Sequence, residues 1–299
     1  MIATMPLNSG GKEPSSEHEK NISMKSNKDD FEFDTWTNID FTDDEVDRIS
    51  RKNDRKFATF KKRIKDTDQF KVEANVFDDS TYAALYKLVQ EGHITALGGP
   101  ISSGKEAIVF EAYGENNREI AIKIYRINTS SFRQMKDYLI GDPRFSGIGS
   151  DKRDIVLAWT RKEFANLKRA KEGGVRVPEP IAVKLNVLVM ELIGVEGNVA
   201  PKLQNIELKN PDIAYEIVRD FMKKIHLSGL VHGDLSEYNI LVHDGEICII
   251  DIGQAVTHRH PKASTYLHRD CENISKFFSR KGVETSEELL YDYITQESS

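Results

Sequence analysis

One stretch restricts this chain more than any other. His232-Gly233-Asp234-Leu235-Ser236-Glu237-Tyr238-Asn239 is followed, twelve residues after Asn239, by Asp251 in Ile249-Ile250-Asp251-Ile252-Gly253. Asp244-Gly245 lies between two apolar runs there, the signal of a two-strand hairpin. Asp234 and Asn239 stand five apart on one loop, and Asp251 ends the apolar run Ile247-Cys248-Ile249-Ile250, where packing alone does not ask for a carboxylate. Phosphoryl transfer needs a carboxylate to orient the attacking hydroxyl and oxygen ligands to hold magnesium on the phosphates. Magnesium takes carboxylate and amide oxygens and keeps several waters. Asp234 fits the orienting base, Asn239 and Asp251 fit the metal ligands, and Asp251 counts with Asp234 as a catalytic residue.

Three further signals sit upstream. Lys123 lies in the alternating strand pattern Glu119-Ile120-Ala121-Ile122-Lys123-Ile124-Tyr125. On the helical stretch 154–172, Ile155, Trp159, Glu163 and Leu167 recur every four residues, and Glu163 is the lone charge in that stripe. Burying a lone carboxylate is costly unless it is paired, so a Lys123–Glu163 ion pair is predicted. Gly99 to Lys105 fits the spacing G-x-x-x-x-G-K, but Glu106 follows where a Walker loop carries Ser or Thr, and a strand pattern follows where it opens a helix. The segment reads instead as a phosphate-covering loop between two strands, with Ser103, Gly104, Lys105 and Glu106 at the phosphates.

These residues carry a resemblance. H-G-D-x-x-x-x-N followed by I-D-I-G looks like the catalytic and metal loops of the protein-kinase-like superfamily. Gly233 stands where the usual Arg does, Ile252 replaces the usual Phe, and Ser236 sits where typical protein kinases carry a Lys. Ser102-Ser103-Gly104-Lys105-Glu106-Ala107 resembles the signature loop of the RIO family of atypical kinases, in the branch with S-T-G-K-E-A, Ser103 replacing Thr. The resemblance implies an α+β, two-lobed, protein-kinase-like fold with a small antiparallel-sheet N-lobe and a reduced helical C-lobe. It also implies ATP with Mg2+ (or Mn2+) between the lobes. Lys123 would grip the α- and β-phosphates, and Met190, Glu191 and Ile193 would form a hinge, reading adenine through the Glu191 carbonyl and the Ile193 N–H.

The family is implicated in small ribosomal subunit maturation and is thought to act largely as an ATPase, with a phospho-aspartate on the metal-loop Asp. The pre-ribosomal small subunit or its RNA is therefore the implied partner. Only 48 residues follow Asp251, without an A-P-E motif. The expectation is an enzyme that modifies itself, on Thr129, Ser130, Ser131, Ser146 or Ser150 in the loop 127–153, or hydrolyses ATP. H-G-D loops also occur in aminoglycoside and choline kinases, so a small-molecule kinase is one alternative. A nucleotide-switched ribosome-assembly factor is the other.

The rest of the chain divides by charge. Residues 1–50 hold twelve acids and five bases and read as largely disordered in the first 30. Residues 51–74 hold nine bases and four acids, and 51–79 reads as a basic linker or solvated helix, with an RNA-facing arm as the functional reading. Residues 80–193 are predicted as the N-lobe and 194–299 as the C-lobe. Ser80 is expected to cap the helix that ends near Gly92. In the helix opened by Asn210-Pro211, Ile213, Ile217, Phe221 and Ile225 recur every four residues, with Ala214, Val218 and Met222 alongside, predicting one wide buried face. His258 and His260 lack further ligands nearby and are read as surface residues. The formal net charge of −6 gives no support to general nucleic-acid binding, so any basic surface is local. Two cysteines, no apolar leader and no run of about 18 apolar residues point to a reduced, cytoplasmic setting without a membrane.

Overall fold

Alternation of apolar residues builds the sheet on which the site hangs. The computed structural model describes residues 55–66, 76–145, 147–149 and 151–296. In it β1 (Ala96–Ser103), β2 (Ala107–Tyr113), β3 (Glu119–Tyr125), β4 (Pro180–Lys184) and β5 (Val187–Glu191) form one antiparallel sheet in the order β1-β2-β3-β5-β4. Successive strand residues face opposite sides, so Ile120, Ile122 and Ile124 share one face. They are buried in a core with Tyr82, Leu85 and Leu88 of the helix Asp79–Gln90. Lys123 faces the other way and stands opposite Val109 on β2 and Leu188 on β5.

Three expectations in this lobe are corrected. The helix Asp79–Gln90, here α2, is capped by Asp78, whose Oδ1 accepts the Thr81 N–H at 2.7 Å; Ser80 lies inside the helix and is buried. Residues 98–103 belong to β1, leaving only Gly104–Glu106 as the connection to β2. Gly98 is required there because a Cβ would lie 2.2 Å from Cγ of Glu111 on β2. The basic segment forms α1 (Arg55–Asp66), and it is docked rather than solvated all round. Phe57 and Ile64 are buried, and the Phe57 ring meets Tyr86 of α2 edge-on at 5.3 Å.

The connection from β3 to the next long helix is more ordered than a loop. It contains α3 (Phe132–Leu139) and a 3₁₀ turn at Pro143–Phe145. Met135 and Leu139 of α3 are buried with Ile155, Val156 and Trp159 of α4 (Lys152–Glu172). Thr129 and Ser131 are buried and Ser130 is exposed, while Ser146 and Ser150 lie outside the described residues, as does the acidic segment 1–50.

After β5 come two short hairpin strands, β6 (Gly194–Val195) and β7 (Asn198–Val199), and then the helical lobe: α5 (Pro211–Leu227), α6 (Ala263–Ser279) and α7 (Glu287–Thr295). The buried face of α5 is Ala214, Tyr215, Val218, Met222 and Ile225; of the predicted four-residue row, Ile225 is buried, Ile217 and Phe221 are partly buried against the core, and Ile213 is 59% exposed. β8 (Leu230–Val231) pairs with β11 (Val256–Thr257), and β9 (Ile240–His243) with β10 (Glu246–Ile249). Asp244 (φ 49°) and Gly245 (φ 83°) make the tight turn of the second pair, the two positive φ values that a two-residue hairpin of this hand needs. The architecture is α+β and two-lobed. Among the described residues no helix is long and apolar enough to cross a membrane.

Candidate active site

Lys123 is the centre of the site. Its Nζ lies 2.8 Å from Glu163 Oε1 and 2.8 Å from Asp251 Oδ1, so it joins the sheet, α4 and the turn after β10. Burial alone would depress the ammonium. The Asp251 and Glu163 carboxylates outweigh it and hold Lys123 well above the ordinary lysine range. The second oxygen of Glu163, a residue almost fully buried, accepts the Tyr125 hydroxyl. Lys123, in turn, keeps the Asp251 carboxyl below its usual range. Asp251 has φ 60°, ψ 48°, a left-handed conformation uncommon for a residue with a side chain, and its side chain is 54% exposed.

Asp234 lies on the loop between β8 and β9. Its Oδ2 accepts the Gln254 amide at 3.1 Å, and its backbone carbonyl accepts Nδ2 of Asn239 at 2.8 Å. That bond orients the Asn239 amide with its nitrogen toward Asp234, leaving its oxygen as the other end of the group. Burial raises the Asp234 carboxyl above its usual range; the Arg269 guanidinium opposes this and the Asp251 carboxylate adds to it. His232 is neutral, because burial drives it down to about 4, and its Nε2 donates to the Ile250 carbonyl at 3.3 Å. Gly233 has φ 82°, and a Cβ there would come within 3.2 Å of the Gln254 carbonyl and 3.6 Å of the Tyr138 ring. The chain thus folds where an arginine would not fit.

Sequence reasoning missed the groups that hold these loops. Asp270 on α6 is buried and accepts the Gly233 N–H at 2.7 Å and the Leu235 N–H at 2.8 Å. Burial lifts its carboxyl to about 7 against the pull of those two donors. Asn273, one turn on, donates to the Leu235 carbonyl at 3.1 Å. From α4, Lys162 donates to the Gly253 carbonyl at 2.7 Å, and Asn166 donates to the carbonyls of Ile252 and Ala255 at 3.0 Å each. Asp270 had a signal: it is the lone acid among Tyr266, Leu267, Cys271 and Ile274, the pattern that marked Glu163. Lys162 and Asn166 had none, since charged and polar residues on a helix are usually solvated.

The remaining candidates surround this cluster. Ser103, Gly104 and Lys105 are exposed at the β1–β2 turn, where the Gly104 N–H bonds the Ala107 carbonyl at 2.9 Å. Glu106 turns inward: burial raises its carboxyl, and the Asp251 carboxylate raises it further. Met190 and Glu191 end β5, with Met190 opposite Ala121 on β3. The Glu191 carboxylate is held by both terminal nitrogens of Arg176 at 2.8 Å. Ile193 is buried with Ala200, Leu241 and Cys248, and its carbonyl accepts the Ala200 N–H at 2.8 Å. The histidine expectation is corrected in part: His258 is exposed, but His260 is buried at 4% exposure. Among the described residues no group of three or more His, Cys, Asp or Glu side chains could hold a metal ion. One amide and one carboxylate, Asn239 and Asp251, suit magnesium, which is held by one or two protein oxygens plus phosphates and water.

With this geometry in view, residues 108–290 match the RIO domain family model. The chain is 59% identical over 262 residues to the RIO-type serine/threonine-protein kinase Rio1 of Haloferax volcanii, covering 88% of this chain and 90% of that protein. It is 44% identical to the Rio1 of Methanocaldococcus jannaschii over 78% of this chain and 80% of that one. To human serine/threonine-protein kinase RIO1 it is 35% identical over 87% of this chain, but only 47% of the human one. Among solved structures it resembles the Rio2 kinase–ADP/Mg2+–phosphoaspartate complex of Chaetomium thermophilum, with a TM-score of 0.56 and 26% identity over 72% of this chain and 65% of that one.

Proposed function

The chain belongs to the RIO family and is an atypical serine/threonine protein kinase, and on that premise we propose that it is an ATP- and magnesium-dependent phosphotransferase that also turns over ATP on its own. The observation that carries this is Lys123 bridging Glu163 and Asp251 at 2.8 Å each, with the Asp234–Asn239 loop beside it.

Lys123 is charged at any physiological pH and is aimed into the cleft by the strand alternation. In this reading it meets the α- and β-phosphates, with Glu163 fixing its position. Asn239 and Asp251 would hold magnesium, which supplies charge neutralisation on the phosphates when bound. Asp234 orients the attacking hydroxyl and receives its proton. The β1–β2 turn, through Ser103, Gly104, Lys105 and Glu106, covers the phosphates, and Met190, Glu191 and Ile193 border the adenine. The phosphoaspartate of the Rio2 complex suggests that Asp251 itself takes the phosphoryl group here too; its half-exposed carboxylate suits that role.

Action on the maturing small ribosomal subunit, in the cytoplasm, is the biological setting that the family resemblance supports. Arg55, Lys56, Lys62 and Arg63 lie exposed on α1 and would suit an RNA backbone. Of the acceptors in 127–153, Ser130 is the exposed one among the described residues.

The test is ATP turnover with magnesium. Asp251→Ala should lower it by about 10²- to 10³-fold, as expected when charge stabilisation at the reacting phosphate is lost, with an unchanged circular-dichroism spectrum. Acid-stable, hydroxylamine-labile label from γ-labelled ATP should vanish in the same variant. Wild-type turnover in Asp251→Ala would refute the reading.

A further inference from the structure

Asp234 sits on a loop, and an untethered carboxylate samples several orientations about its side-chain bonds. Among the described residues, the side chain that hydrogen-bonds its carboxylate is Gln254, Nε2 to Oδ2 at 3.1 Å. Gln254 is three residues beyond Asp251, in the 3₁₀ turn Ile252–Gln254. With Oδ2 occupied, Oδ1 is the oxygen left to meet a substrate hydroxyl.

The turn that carries Gln254 is itself clamped. The carbonyls of Ile252, Gly253 and Ala255 are all taken by side chains of α4: Asn166 for the first and third, Lys162 for the second. Lys162 is fully buried, its Nζ 5.0 Å from the Trp159 ring centroid. Burial and the nearby Arg144 both depress its ammonium. An apolar side chain would fill that space at lower cost. A lysine is explained by its donor, which fixes the Gly253 carbonyl beside Gln254.

We propose that Gln254 is a positioning residue for phosphoryl transfer: clamped by Lys162 and Asn166, it aligns the Asp234 carboxylate with the nucleophile, so that one turn carries Asp251 and also orients the base. This deepens the phosphotransferase reading and rests on it. It makes α4 more than the source of Glu163, because the same helix sets the second catalytic carboxylate through the backbone of the metal loop.

The experiment is a cycle of four proteins: wild type, Gln254→Met, Asp234→Ala and the double variant. Methionine matches glutamine in length and lacks the donor. The single-turnover rate of ATP cleavage in Gln254→Met should fall about 10- to 100-fold, the range of a misaligned general base. The affinity for magnesium and ADP, read by a fluorescent ADP analogue, and the melting temperature should not change. In the Asp234→Ala background Gln254→Met should cost nothing further, because its effect runs through Asp234. Gln254→Asn keeps the amide one methylene too short and should behave like Gln254→Met, which covers the case of a poorly folding methionine variant. A wild-type rate in both variants would overturn the proposal. So would an equal loss in the Asp234→Ala background, or a loss of ADP affinity as large as the loss of rate. Asp234→Ala turning over like wild type would sink the phosphotransferase reading itself, and this inference with it.

Discussion

Glu163 and Asp270 are two carboxylates in the same predicament. Each is the single acid on an otherwise apolar helical stripe, each is buried, and each is tolerated because it is fully engaged. Glu163 was legible because a cation, Lys123, stood out on a neighbouring strand as its partner. Asp270 showed the same stripe but not its partners, because these are backbone N–H groups, which every residue carries and no sequence displays. Those partners fix its consequence. Asp270→Ala leaves the N–H groups of Gly233 and Leu235 unpaired in a buried place, at about 1–3 kcal/mol each. Denaturant titration should therefore show a loss of roughly 2–5 kcal/mol, accompanied by a fall in ATP turnover. Asp270→Asn keeps an acceptor oxygen and should lose about half as much. If Asp270→Ala costs under about 1 kcal/mol, the acid does not hold the loop as described.

Among the elements, α4 does what the sequence promised and more. Its stripe Ile155, Trp159, Glu163 and Leu167 is buried as expected, and the helix contributes to the core beside α3 and to that of the helical lobe. Strands β2 to β5 were equally legible, since alternation of apolar residues is a strong local signal. Two elements were not. The glycines and proline of β1 read as loop, yet Gly98 is there to let Glu111 cross the strand. α3 is two turns long, with Met135 and Leu139 buried and Phe132 and Tyr138 partly buried beside them, and Gly141 and Pro143 close behind suggested a loop. Phe132, Met135 and Leu139 do have helical spacing, but two turns are too short a span for that spacing to stand out from a loop. The distinction is measurable at Met135, which is completely buried. Met135→Ala should destabilise the protein by about 2–5 kcal/mol, the usual cost of such a truncation in a core. An unstructured loop would give no change, and that result would remove α3 from the core.

At the scale of the whole molecule, every proposed catalytic, metal-binding and phosphate-binding residue lies between Ser103 and Asp251, outside α1. α1 rests on α2, on the face of the sheet away from Lys123: Phe57 and Ile64 are buried in the core that also holds Ile120, Ile122 and Ile124. Its ion pair from Lys61 to Asp79 is partly exposed and adds little. The helix therefore belongs to the scaffold through Phe57 and Ile64, with Phe60 partly buried beside them, while Arg55, Lys56, Lys62 and Arg63 lie exposed. Removing residues 1–75 separates these roles. Burial of two such side chains is worth about 1.5–3 kcal/mol each, less the ordering entropy of a short helix, so stability should fall by roughly 1–3 kcal/mol. Turnover of ATP below the melting transition should stay within about twofold of wild type, since no catalytic group is removed with the helix. If the exposed bases of α1 meet RNA, affinity for a small-subunit RNA fragment should drop, and the slope of log affinity against log salt should flatten by about one for each phosphate that α1 no longer neutralises. An unchanged salt slope would leave α1 as a packing element alone, and a collapse of turnover at full stability would show that the first segment reaches the site after all.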